Sequence, residues 1–114
     1  MSKKKSTILF EIELDEQNIP EKINWTASDS DGSLKETKSV SVSLWDDAQN
    51  NAMRIDLWTK EMTVDEMKRF YINSLAGMAQ MIMNSTSDEF MASQTNELCE
   101  KLVEHLKREE EAGN

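Results

Sequence analysis

The sequence carries one cysteine and one histidine, Cys99 and His105, in 114 residues. One thiol cannot close an internal disulfide, and a zinc site built from four N or S ligands is out of reach. A reducing compartment is therefore expected. The two residues stand six positions apart in what reads as a helix, about 120° around its axis, so they do not form a thiolate–imidazole pair. Cys99 is expected as a small core residue, and His105 as a solvated residue near a helix C-terminus. Glycine occurs three times, once beside the C-terminus, which rules out a Gly-rich phosphate cradle. Basic residues are scarce: 13 Lys and Arg stand against 22 Asp and Glu, for a formal net charge of −9. Nucleic acid is excluded as a partner, because release of counterions from phosphates needs positive charge.

Long apolar runs are absent too. Lys3, Lys4 and Lys5 precede Ile8-Leu9-Phe10, but Glu11 and Glu13 interrupt that stretch well before the roughly 7 to 15 apolar residues of a signal core. The most apolar segment, residues 76–83, contains Gly77 and Gln80 and falls short of the roughly 20 residues of a membrane span. A soluble cytoplasmic protein is expected, with residues 1–5 as a flexible, solvated basic tail.

What is present is alternation. Ile8, Phe10, Ile12 and Leu14 share one parity against Glu11 and Glu13, the pattern of a half-buried strand. Residues 15–20 form a polar break. Ile23, Trp25 and Ala27 alternate in a second strand, closed by turn formers at residues 28–33. Val40, Val42 and Leu44 oppose Ser39, Ser41 and Ser43 in a third. After a loop at residues 46–51, Met53, Ile55 and Leu57 oppose Arg54, Asp56 and Trp58 in a fourth.

At Thr63 the period changes from 2 to 3.6. Thr63-Val64-Asp65-Glu66 is a capping box, with Met62 and Met67 at hydrophobic-staple spacing. Met67, Phe70, Tyr71, Leu75, Met78, Met81 and Ile82 then mark one stripe of a helix of about twenty residues. Residues 84–87 break it, and Thr86-Ser87-Asp88-Glu89 is a second capping box. The second stripe, Met91, Thr95, Leu98, Leu102 and Leu106, fades into an acidic tail at residues 109–114 that is expected to be flexible. The expectation is a single α+β domain over residues 1–114: a four-stranded antiparallel sheet, then two helices packed on one face, in two layers.

On the sheet face away from those helices, Trp45 and Trp58 stand with Arg54 and Asp56. The two tryptophans form a contact patch, or they sit at strand ends where a bulge turns them inward; a homodimer across that face is a third arrangement. Most of the eight methionines fall on the helical stripes and are expected as core, with Met83 the most exposed. Asp29-Ser30-Asp31-Gly32 fails as a calcium loop, because position 12 from Asp29 is Val40 rather than Glu, and reads as a plain turn. Asp46 and Asp47 are adjacent, point to opposite faces, and have no partner of defined role. No catalytic, cofactor-binding or metal-ligating residues are assigned, and no enzyme activity is expected.

Three segments carry a resemblance: Ile19-Pro20-Glu21-Lys22-Ile23-Asn24-Trp25, Val42-Ser43-Leu44-Trp45-Asp46, and Met53-Arg54-Ile55-Asp56-Leu57-Trp58-Thr59-Lys60 running into Met62-Thr63-Val64-Asp65-Glu66-Met67-Lys68. Together they resemble the GldC family of small gliding-motility proteins of the Bacteroidetes, over nearly the whole chain and least after about residue 84. The resemblance implies a cytoplasmic accessory protein of surface gliding, without reaction or cofactor. By architecture and acidity alone the chain is also similar to the tetrameric export chaperone SecB, and shared topology does not establish shared function. Two functions follow as expectations: a non-catalytic interaction protein using Trp45, Arg54, Asp56 and Trp58 on motility or envelope components, or a small acidic holdase.

Overall fold

The computed structural model describes residues 4–29 and 31–113; Lys3 of the basic start and Ser30 of the turn lie outside the described residues. The chain comprises two compact units that meet in sequence between Thr63 and Val64.

The first unit holds five strands: β1 (Ile8–Leu14), β2 (Pro20–Ala27), β3 (Lys35–Thr37), β4 (Ser39–Asp46) and β5 (Asn51–Trp58). All pairings are antiparallel between sequence neighbours, the meander that alternation and short links predict. The single four-stranded sheet is corrected to two sheets, one of order β1-β2-β3 and one of order β4-β5. The division falls at Lys38. On one side Thr37 is paired with Ile23 of β2, and on the other Ser39 is paired with Trp58 of β5. At the junction the Lys38 carbonyl accepts from the Thr59 amide at 2.8 Å, and the Lys60 amide donates to the Pro20 carbonyl at 3.1 Å. The chain changes partner there without interrupting its backbone bonding.

Ile12, Ile23 and Thr37 lie in one cross-strand row of the three-stranded sheet, and Ile23 at its centre is fully buried. Burying a side chain of that size is worth about 1.5–3 kcal/mol. The β1–β2 turn is held by Asp15, whose Oδ1 accepts from the amides of Gln17 (2.8 Å) and Ile19 (2.9 Å) while Asn18 takes a left-handed conformation at φ 64°. Lys60 reaches that turn from beyond β5, its Nζ lying 3.0 Å from both Asp15 Oδ2 and Glu21 Oε1. Asp31 forms the expected plain turn, accepting from the amide and hydroxyl of Ser33.

The second unit is a helical hairpin of α1 (Val64–Thr86) and α2 (Glu89–Ala112). α1 begins directly after Thr63, where the first capping box places it. The second start is corrected. Thr86 belongs to the last turn of α1, Ser87 adopts φ 58°, and Asp88 caps α2 by accepting from the Met91 amide at 3.0 Å. Ser87 in the left-handed region ends α1 in the manner of a C′ residue, its amide donating back to the Met83 carbonyl at 3.0 Å. The helices run antiparallel, with Lys68 on Glu109 at 2.8 Å and Arg69 on Glu110 at 3.0 Å. Those two pairs lie where the sequence suggests a fraying tail; the segment instead continues α2 as helix to Ala112.

Small residues line the seam between the helices. Ala79, Ala92 and Cys99 are the buried ones, and the Cys99 thiol faces the Ile72 carbonyl at 4.0 Å. Cys99 is thus the core residue its type suggests. Met83 lies in the same sector of α1 and is half-buried, so the expectation that it is the exposed methionine is corrected: Met78, Met81 and Met91 are 43–57% exposed. Tyr71 and Met78 on α1, and Met91 and Leu98 on α2, stand about 100° off the seam toward one side of the hairpin, which gives it an apolar face.

Candidate functional site

The β4–β5 register decides which side chains meet. Ser41 is opposite Asp56, Ser43 opposite Arg54, Trp45 opposite Ala52, and Ser39 opposite Trp58. Direct partners in an antiparallel pair share a face, so all four residues singled out from the sequence, Trp45, Arg54, Asp56 and Trp58, lie on one side of this ribbon. Val40, Val42, Leu44, Met53, Ile55 and Leu57 take the other.

At the centre of the first face Arg54 and Asp56 form an ion pair. Nη2 is 3.0 Å from Oδ1 and Nε is 3.3 Å from Oδ2, a two-point grip between residues two apart on the same strand face. Arg54 Nη1 donates to Ser43 Oγ at 2.8 Å, and Ser41 donates to Asp56 Oδ1 at 2.7 Å. The Arg54 guanidinium first, and the Ser41 hydroxyl second, hold the Asp56 carboxyl below its ordinary 3.8. Asp56 thus accepts three bonds from its own ribbon, which keeps the charged pair ordered on one flat patch.

Trp45 and Trp58 flank that hub at opposite ends and on opposite strands. They are 66% and 51% exposed, so neither is turned inward. Measured along β5, Trp58 and the Ala52 that faces Trp45 are six residues apart, about 20 Å. The tryptophans were legible as members of a nominally wet face from parity alone. Ser41 and Ser43 were not singled out, although their alternation opposite Arg54 and Asp56 carries the signal.

The remaining candidates are placed elsewhere. Asp46 accepts from the Ala48 amide at 3.0 Å and shapes the β4–β5 turn, which Asn50 completes at φ 54°. His105 stands 3.4 Å from Glu109 on the exposed side of α2. Among the described residues no group of three or more His, Cys, Asp or Glu side chains is placed to hold a metal ion, and no helix is long and apolar enough to cross a membrane.

No curated protein and no solved structure matches the chain. A family model described as gliding motility-associated protein GldC-like matches residues 20–108, from the first residue of β2 to near the end of α2, and so includes the whole of the tryptophan-flanked ribbon. By the extent of that match the chain belongs to the GldC-like family of gliding motility-associated proteins.

Proposed function

We propose that this protein is a non-catalytic accessory module of gliding motility, acting in the cytoplasm and binding a motility or envelope protein through the Trp45–Arg54–Asp56–Trp58 face. The observation that carries the reading is the exposure of two tryptophans, 66% and 51%, around an ion-paired, internally bonded hub. Trp and Arg dominate binding hot spots, and a hub that is already ordered loses little side-chain freedom when covered. Family membership supplies the process. The test is crosslinked co-purification from the native cell, comparing the wild-type chain with Trp58→Ala. Truncating a hot-spot tryptophan costs about 2 kcal/mol, roughly thirtyfold in affinity. A short reproducible set of proteins that disappears with Trp58→Ala, at unchanged circular dichroism, supports the face; a set that Trp58→Ala retains in full rules it out.

A second reading, a small acidic holdase, is favoured by a different observation. The helical hairpin leaves Tyr71, Met78, Met81, Met91 and Leu98 40–57% exposed, and methionine-rich faces adapt to varied apolar segments. Suppression of client aggregation at stoichiometric amounts, lost on mild methionine oxidation, supports this reading; inactivity at excess chaperone discards it.

A further inference from the structure

The outer edge of β5 is bonded to no other strand among the described residues. Met53, Ile55 and Trp58 along it are 54%, 52% and 51% exposed. An edge of this kind is a template for another strand. Its sequence says which one. Read outward from Ile55, the residues fall into matched couples: Arg54 with Asp56, Met53 with Leu57, Ala52 with Trp58. The strand is complementary to its own reverse.

We infer that β5 pairs antiparallel with β5 of a second copy about a twofold axis at Ile55, joining two ribbons into one four-stranded sheet of order β4-β5-β5-β4. Each Arg54 then lies opposite the other copy's Asp56, at the 4.5–5.5 Å typical of direct cross-strand neighbours. Ile55 meets Ile55, and Met53 meets Leu57. Across the whole sheet the rows become uniform: Ser43, Arg54, then the second copy's Asp56 and Ser41 on one face; Val42, Ile55, Ile55, Val42 on the other. Shifting the twofold by one residue destroys this. An axis at Arg54 sets arginine against arginine, and an axis at Asp56 sets aspartate against aspartate, each directly opposed like charges. The charges therefore specify the register, while the apolar couples supply the attraction.

The same register assembles the tryptophans. The second copy's Trp58 lies opposite Ala52, whose other neighbour is Trp45. Two indoles that stand about 20 Å apart in one chain are thus brought to either side of a single methyl group, about 10 Å apart between strand axes. The paired sheet presents this row twice. The inference concerns the edge of β5 rather than its face, and stands independently of the partner proposed above.

The experiment is a charge exchange followed by sedimentation velocity on the full chain, over about 1 to 200 µM because a seven-residue edge buries less than a standard interface. The wild-type chain is expected to shift from monomer to dimer, with a concentration-dependent change in the near-ultraviolet tryptophan circular dichroism. Arg54→Asp and Asp56→Arg, each alone, bring like charges together and should weaken self-association at least about tenfold. Mixing the two variants places two aspartates opposite two arginines and should restore a mixed dimer. That mixture controls for damage within each chain, since a misfolded variant cannot be rescued by another. A wild-type chain monomeric throughout the range, single variants that dimerise as well as wild type, or a mixture no more associated than its components overturns the inference. A monomer that still needs Trp58 to retain its cellular partner overturns the dimer alone and leaves the proposed function standing.

Discussion

Asp15 joins two pieces of chain through two oxygens. Oδ1 takes two backbone amides of its own turn, and Oδ2 takes Lys60 from 45 residues away, with the side chain only 10% exposed. The Ile19 amide first, then Lys60, hold its carboxyl below the ordinary 3.8, and Asp15 in turn, with Glu21, raises Lys60 above 10.5. A carboxyl with a depressed folded value contributes stability that is complete above its unfolded value and is lost as pH falls through the folded one. Asp15→Asn keeps an oxygen for the amides and removes the charge. It should lower the urea midpoint at pH 7, and the gap from wild type should close below pH 3.8 as Asp15 itself protonates. A gap that is constant from pH 7 to pH 2.5 would show that the charge on Asp15, held by the Ile19 amide and by Lys60, gives nothing to the folded state. Lys60 has the opposite sign: its share is present below 10.5 and disappears as pH rises beyond its raised value. Nothing in the sequence announces this clamp. A polar break and a lysine 45 positions later have no periodicity to connect them, and only the turn that aims Asp15 brings them together.

The helical hairpin offers cleaner substitutions, because its elements are regular. Gly77 lies within α1, and a Cβ added there would meet no atom within 4 Å. Gly77→Ala should therefore stabilise the protein by about 1 kcal/mol, the helix-interior difference between the two residues, and raise the thermal midpoint by a few degrees. No change, or a loss, would mean that α1 is not formed through this position in solution. Asp88→Ala removes the cap from the first turn of α2 and should cost about 1 kcal/mol by chemical denaturation. If Thr86 were the cap, as the Ser/Thr-x-x-Glu pattern suggests, the cost would follow Thr86→Ala instead. Both residues are good N-cap types but only Thr86 has a glutamate three positions on, and what selects Asp88 is the left-handed Ser87 that ends α1 one residue earlier. Strands β1, β2, β4 and β5 were legible because period-2 alternation records a half-buried face. β3 was not, since Lys35-Glu36-Thr37 alternates nothing and is held by its backbone pairing to β2. The split at Lys38 was equally silent, because both halves of the bent strand keep good strand sequence and differ only in partner. Helix at residues 109–112 was hidden by composition: a run of acids reads as solvated until Lys68 and Arg69, 41 residues earlier, are seen to face Glu109 and Glu110.

At the scale of the whole molecule, charge and exposed apolar surface oppose one another. Away from the β5 edge, Ile8, Leu44, Met81 and Phe90 are all more than half exposed, on a chain whose formal charge at pH 7 is −9. Net charge of that size keeps such surfaces apart. The sequence pI is about 4.6, so near that pH the repulsion vanishes while the apolar surface remains. The ion pairs respond differently. Asp15 and Asp56 are held below 3.8 and Glu109, beside Lys68, below 4.5, so all three stay predominantly ionised at the isoelectric point, and their stabilisation is lost only at more acid pH. Loss of colloidal stability should therefore precede loss of fold. On acidification the protein should reach a solubility minimum near pH 4.6, and the precipitate should redissolve on neutralisation with its near-ultraviolet circular dichroism and sedimentation unchanged. Protein that is recovered unfolded, or that loses its tryptophan signal in solution before turbidity appears, would show that the carboxylate pairs fail first and that net charge is not what keeps the apolar surfaces apart.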